Sequence, residues 1–290
     1  GIPVSVSSAL LPEYREYERM ATTVVNAYIA PLVAGYLGRI EADSGAERNI
    51  SEAATMLDHE TVNKLRYMKL TGIAEALKEQ HDDDAYQEMG FRDRFALLVD
   101  REFCKRQHGR LQRLINGAKF ENPTACVEDI RYDDDRKLDR SFILELASCS
   151  YIRHARNVVI VGPTGAGKSF LAQALGQAAC RRFLKTRYIQ LPDLLDELKM
   201  ARTKGVEAFN HLRKQFIKYD LLIIDEWLLF PISVEDTQML LSLVDRRHNH
   251  QATIIASQFE PAEWLGNAPE GALHLVSNQP SRKLHSQLDL

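Results

Sequence analysis

The chain has 290 residues, of which 45% are hydrophobic and 27% charged, and its formal net charge is −3. This profile belongs to an ordinary globular chain of one large or two modest domains and excludes disordered and fibrous classes. The chain is not basic overall, so contact with nucleic acid must come from a local patch, and no apolar run approaches the roughly 18 residues of a membrane span.

The first residues lack the basic stretch of a secretory signal. Cys104, Cys126, Cys149 and Cys180 are scattered without metal-ligand or CxxC spacing and read as reduced thiols of a cytoplasmic protein. Residues 46–55 are small and polar, a join between the segments on either side. From Leu57 to Gln80, apolar residues recur at helical spacing, with Val62, Leu65, Met68, Ile73 and Leu77 on one face. The acidic runs at 82–84 and 133–135 read as solvated loops. Phe91 to Lys119 predicts a longer helix: Phe91, Phe95, Val99, Phe103 and Leu111 step by four, and Leu114, Ile115 and Ala118 continue the face. Its charge is lopsided, eight basic residues against three acidic ones. Two readings stand: a solvated amphipathic face, or a contact with a phosphate backbone through Arg101, Lys105, Arg106, Arg110 and Arg113.

From Val158 the pattern becomes alternating strands and helices. Val158–Val161, Arg187–Gln190, Leu221–Ile224 and Thr253–Ala256 predict strands; Ser169–Phe183, Leu191–Arg202, Ala208–Ile217 and Thr237–Arg247 predict helices. Strands separated by helices of this length imply a parallel sheet covered on both faces.

Gly162-Pro163-Thr164-Gly165-Ala166-Gly167-Lys168-Ser169 fits GxxxxGK[ST], directly after an apolar strand and at the start of a helix. Glycines let backbone N–H groups turn around a phosphate, the helix N-terminus favours an anion, and Lys168 brings a cation to the β- and γ-phosphates. The Ser169 hydroxyl suits Mg²⁺. In Leu221-Leu222-Ile223-Ile224-Asp225-Glu226 the carboxylates emerge at the C-terminal end of a strand, where open α/β sheets bind ligands. Asp225 is the candidate for holding Mg²⁺, and Glu226 is the candidate base for the attacking water. The strand 253–256 runs into Ser257-Gln258, polar residues placed to sense a γ-phosphate or simply to make a turn.

With these motifs the region resembles AAA+ ATPases of the DnaC and DnaA type. Residues 56–264 more closely resemble the IstB-like ATP-binding helpers of bacterial insertion sequences. The matching stretches are Leu65-Arg66-Tyr67-Met68-Lys69-Leu70, Gly162–Ser169, Cys180-Arg181-Arg182, Ile224-Asp225-Glu226-Trp227, Asp245-Arg246-Arg247 and Ile254-Ile255-Ala256-Ser257-Gln258. The resemblance implies an ATPase that uses ATP and Mg²⁺, forms homo-oligomers on duplex DNA and delivers its target to a partner transposase, without a membrane. It places Lys168 and Ser169 in the phosphate-loop roles, Asp225 and Glu226 in the Mg²⁺ and base roles, and Gln258 at the sensor position. The implied fold is α/β: a P-loop AAA+ core of three layers around a parallel sheet, with an N-terminal helical region and a truncated C-terminal lid. The expected domains are 1–55, a front extension; 56–124, helical; 125–264, the ATP-binding core; and 265–290, a divergent tail.

Two departures bear on function. The family continues past Trp264 into a helical lid with an arginine finger, whereas residues 265–290 do not follow that pattern and Arg282 is the only arginine after Gln258. An arginine finger is worth about 10³–10⁵ in rate, so nucleotide binding is expected to survive better than hydrolysis, unless an oligomer supplies the missing groups. At the front, Val4–Ser8 through Tyr28-Ile29-Ala30-Pro31-Leu32-Val33 to Leu37 resembles an interior piece of hydantoinase A/oxoprolinase subunits without their ligands. This suggests a fusion with an original start near Met56, against the alternative of an amphipathic helical extension. A helicase-loader-type ATPase shares every motif named here. A P-loop small-molecule kinase lacks the tandem Asp-Glu, and a non-functional ATP-binding remnant is the remaining alternative.

Overall fold

The computed structural model describes residues 50–86, 88–132, 138–261, 263–264 and 286–289. The expectations for the front extension at 1–45, the acidic run at 133–135 and most of the tail lie outside the described residues. The chain divides into two compact units at His108–Gly109.

In the first unit, α1 (Ile50–Tyr67) and α2 (Thr71–Asp82) precede a 28-residue helix, α3 (Phe91–Ala118), which runs through the division. The single helix expected over 57–80 is therefore two. The break lies at Lys69, whose φ is 59°. Lys69 N–H donates to Arg66 O at 2.9 Å and Leu70 N–H to Leu65 O at 2.8 Å, the paired bonds of a Schellman ending. With lysine in place of the usual glycine, the sequence carries no stop signal there. Val62, Leu65, Leu70, Ile73, Ala74, Ala76 and Leu98 form a small core.

The N-terminus of α2 has no cap from its own flanking residue; Glu102 of α3 supplies it instead. Its Oε2 accepts from Gly72 N–H at 2.7 Å and Ile73 N–H at 3.2 Å, and its Oε1 accepts from Arg106 Nε at 2.6 Å. A buried carboxylate on a helix N-terminus meets both the orphan donors and the positive end of the dipole. Gly72 permits this approach, since a Cβ there would lie 2.8 Å from Glu102 Cα. Gly72→Ala should therefore destabilise this unit by about 1–3 kcal/mol through overpacking, read as earlier hydrogen exchange in α2. Unchanged protection would contradict the close packing.

The second unit is built on a five-stranded sheet in the order β2-β3-β4-β1-β5, with every neighbouring pair parallel. The strands are β1 (Val158–Val161), β2 (Thr186–Gln190), β3 (Leu221–Asp225), β4 (Ala252–Ser257) and β5 (Ser286–Asp289). The first four match the sequence expectation to within a residue at each end. The fifth lies in the tail, where the sequence pattern implies no strand. The helices are α4 (Arg140–Ala147), α5 (Ser150–Arg153), α6 (Lys168–Arg181), α7 (Leu191–Thr203), α8 (Val206–Ile217) and α9 (Val234–Arg247).

Period-two alternation divides the strand residues between two cores. Val158, Ile160, Tyr188, Leu221, Ile223, Ile254 and Ala256 pack with α4, α5 and α6. Val159, Val161, Ile189, Leu222, Ile224 and Ile255 pack with α7, α8 and α9. The result is the three-layer α/β core expected from the motifs. Arg247, 1% exposed, pins α9 to the end of α8 by donating to Phe216 O at 2.7 Å and Tyr219 O at 2.9 Å, and to Thr253 Oγ1 at 3.1 Å. Burial draws its pKa down to about 10 against the pull of Asp220. For the site, the decisive feature is strand order: β4 lies between β1 and β3, so the C-terminal ends of all three open on the same edge of the sheet.

Candidate functional site

Two residues of the loop after β1 take left-handed backbone, Gly165 at φ 82° and Gly167 at φ 96°. Side-chain-bearing residues rarely adopt this conformation, so glycine here is a backbone requirement. Nothing lies within 4 Å of a Cβ placed on Gly165, so space is not the constraint. Gly167 precedes α6 without a side-chain cap, leaving the first N–H groups of the helix for an anion. Lys168 is 8% exposed and donates from Nζ to Pro163 O at 2.8 Å. Burial lowers its pKa, while the Asp225 carboxylate acts in the opposite sense. Ser169 follows, half-buried, on the first turn of α6.

Asp225 ends β3 and is 2% exposed. Its Oδ1 accepts from Glu226 N–H at 2.8 Å and its Oδ2 from the Tyr188 hydroxyl at 2.8 Å. Glu226 sits at φ 53°, a conformation costing a non-glycine residue about 1–2 kcal/mol. Its pKa is raised by burial first, then by Asp225, Glu121 and Asp193. A carboxylate moved toward neutrality in this way is a better proton acceptor. At the end of β4, Gln258 Oε1 accepts from Thr164 Oγ1 at 2.9 Å, joining the third strand tip to the phosphate loop. Ser257, fully buried, donates to Trp227 O at 3.0 Å and accepts from Trp264 Nε1 at 3.1 Å.

The structure thus brings Gly162–Ser169, Asp225, Glu226 and Gln258 to neighbouring strand ends. Sequence reasoning missed Tyr188 and Glu121. Tyr188 shares a face of β2 with Gln190, the residue opposite Asp225, and that register is the signal that would have found it. The phenol pKa is pushed up by burial and by Asp225. Among the described residues no group of three or more His, Cys, Asp or Glu side chains forms a metal site alone. The Ser169 hydroxyl and the Asp225 carboxylate are hard oxygen donors that suit Mg²⁺ shared with nucleotide phosphates.

The basic candidates on α3 are engaged locally. Arg101 pairs with Glu79 at 2.5 Å, Lys105 with Glu75 at 2.7 Å and Arg106 with Glu102 at 2.6 Å. Arg113 Nε donates to Gly109 O at 3.2 Å, and Arg110 lies 4.6 Å above the Phe183 ring. Exposed pairs of this kind are worth at most about 1 kcal/mol, so a phosphate can replace the carboxylates of Glu75 and Glu79. No described helix is long and apolar enough to cross a membrane.

A family model described as IstB-like ATP binding protein matches residues 63–273. An insertion-sequence (IS1162) ATP-binding protein of Pseudomonas fluorescens is 37% identical over 203 residues, spanning 70% of this chain and 87% of the relative. An insertion-sequence ATP-binding protein of Sinorhizobium fredii is 36% identical over 209 residues, covering 72% and 83%. Among solved structures, a replication initiator DnaA bound to AMPPCP and single-stranded DNA is similar at TM-score 0.51 and 19% identity, covering 59% of this chain and 51% of that one. A DNA replication initiation factor is similar at TM-score 0.50 and 17% identity, with the same coverage. These two support the fold alone.

Because the Glu226 pKa is raised in the fold, its ionisation opposes folding as pH rises through the folded value. Glu226→Gln should therefore be more stable than wild type at neutral pH, and the difference should vanish below the usual carboxylate range. Denaturant midpoints at several pH values measure this; a variant less stable at neutral pH would contradict the assignment.

Proposed function

Since this chain belongs to the family of IstB-like ATP-binding proteins, we propose that it is an AAA+ helper of DNA transposition that binds ATP, duplex DNA and a partner transposase. The supporting observation is the convergence of the phosphate loop, Asp225, Glu226 and Gln258 on one edge of the sheet, with Thr164 bonded to Gln258. In this reading the backbone N–H groups at the start of α6 receive the β-phosphate. Lys168 exchanges its bond to Pro163 O for the β- and γ-phosphates. Ser169 and Asp225 would hold Mg²⁺, which would supply positive charge to the phosphate oxygens. Glu226 takes a proton from the water whose oxygen bonds to the γ-phosphorus as the bond to the β–γ bridging oxygen breaks and ADP leaves, and Gln258 links the γ-phosphate end of the pocket to Thr164. Homo-oligomerisation on DNA would bring a neighbouring copy to this edge of the sheet, where its side chains could complete the site for hydrolysis.

Replacing Lys168 with Ala should weaken ATP binding by about 10–100-fold, the worth of a charge-assisted contact, in a titration with a fluorescent ATP analogue. Unchanged affinity would overturn the phosphate-loop assignment. Glu226→Gln should retain ATP and lower any DNA-stimulated turnover by about 10²–10⁴-fold. For DNA, Arg110→Ala combined with Arg113→Ala should reduce the slope of log affinity against log salt by about 1.8, at roughly 0.9 per lost phosphate contact. An unaltered slope would move the interface elsewhere.

A further inference from the structure

The structure assigns to Tyr188 the positioning of Asp225, and this rests on the reading of Asp225 as the carboxylate that faces Mg²⁺. Both side chains are buried, Tyr188 at 3% exposure and Asp225 at 2%. The phenol body packs in the α6-side core with Val158, Ile160 and Ile223. Its one polar atom, the hydroxyl, donates to Asp225 Oδ2 at 2.8 Å, while the other carboxylate oxygen takes the Glu226 N–H at 2.8 Å.

Two donors, one on each oxygen, fix the plane of the carboxylate in a single orientation. An ionised carboxylate has about four acceptor sites, so acceptor capacity remains on both oxygens for a hard cation or its bound water. The register shows why this falls to Tyr188. Gln190 lies directly opposite Asp225, but its amide is turned to Glu121, with Nε2 donating to Oε1 at 2.8 Å. Tyr188 lies opposite Ile223, and its longer side chain reaches two residues further along β3. The Tyr188 hydroxyl is thus the side-chain donor that holds Asp225 from the neighbouring strand. Its hydroxyl hydrogen is committed to Asp225, so it acts through the orientation of that carboxylate. Loss of an outer partner of this kind typically costs about 10–100-fold in metal affinity or activity.

The test measures binding of a fluorescent ATP analogue to the full chain across a Mg²⁺ series, without reference to turnover. Wild type should bind more tightly as Mg²⁺ is added, and Asp225→Asn should lose that response. Tyr188→Phe should bind the analogue in the absence of Mg²⁺ as wild type does. Its Mg²⁺ midpoint should rise about 10-fold or more, and the Mn²⁺ electron paramagnetic resonance signal of its ternary complex should change. The melting temperature of the metal-free variant should fall by no more than about 12 °C, the upper cost of one hydrogen bond to a charged group. A wild-type Mg²⁺ midpoint in Tyr188→Phe, with Asp225→Asn defective, overturns the positioning role alone. A normal Mg²⁺ response in Asp225→Asn overturns the underlying reading and the positioning role with it. A variant that loses its fold also counts against the role, because the hydroxyl would then be a general structural group.

Discussion

Asp225 holds a carboxylate at 2% exposure, and a carboxylate so placed requires hydrogen bonds or a nearby cation to offset the loss of water. Both are provided by groups that define the site. Tyr188 reaches it from β2, the backbone N–H of Glu226 turns back on it from the following residue, and the Lys168 ammonium is close enough to feel its charge. The sharp left-handed turn at Glu226, strained for a side-chain-bearing residue, accompanies that last backbone bond. One electrostatic unit therefore links β2, β3 and the phosphate loop.

The remainder of the second unit keeps that arrangement in place. With β4 between β1 and β3, the Gln258 side chain meets Thr164 of the phosphate loop, and Ser257 ties the exit of β4 to the exit of β3 through Trp227 O. Trp264 closes this corner, bonded to Ser257 and packed at 5.7 Å from Trp227. On the other side of the sheet, the stretch after α3 is fastened to α6, where Asn122 N–H donates to Gln173 Oε1 at 2.7 Å. It is also joined to β2, where Gln190 donates to Glu121. Glu121 in turn helps to raise the Glu226 pKa. The segment leaving α3 thus contributes charge beside Glu226 while anchoring on the helix that begins at the phosphate loop.

Much of this core was legible in the sequence, because its signals are local. Val158–Val161 and Leu221–Ile224 are apolar runs too short for helices, and the motifs at their ends have the spacing that phosphate and metal chemistry demand. The features that escaped depend on contacts distant in sequence or on exceptions to local rules. Lys69 takes the left-handed turn that normally advertises itself with glycine, so the helical periodicity runs unbroken across it. Ser-Gln-Leu-Asp at 286–289 has no apolar pattern, and its strand character comes from pairing beside β1. The bond from Tyr188 to Asp225 spans 37 positions, and only sheet register brings the two together. The charge of α3 was legible, but not that Glu75, Glu79 and Glu102 already answer part of it.

The decisive measurement is a crystal structure of the chain with a non-hydrolysable ATP analogue and Mg²⁺. The β-phosphate should lie on the backbone N–H groups of residues 165–168, with Lys168 Nζ moved from Pro163 O to the phosphates and Mg²⁺ between the Ser169 hydroxyl and the side of Asp225. An analogue bound away from this loop, or a Lys168 still bonded to Pro163 O beside a bound triphosphate, would contradict the assignment of this sheet edge as the nucleotide site.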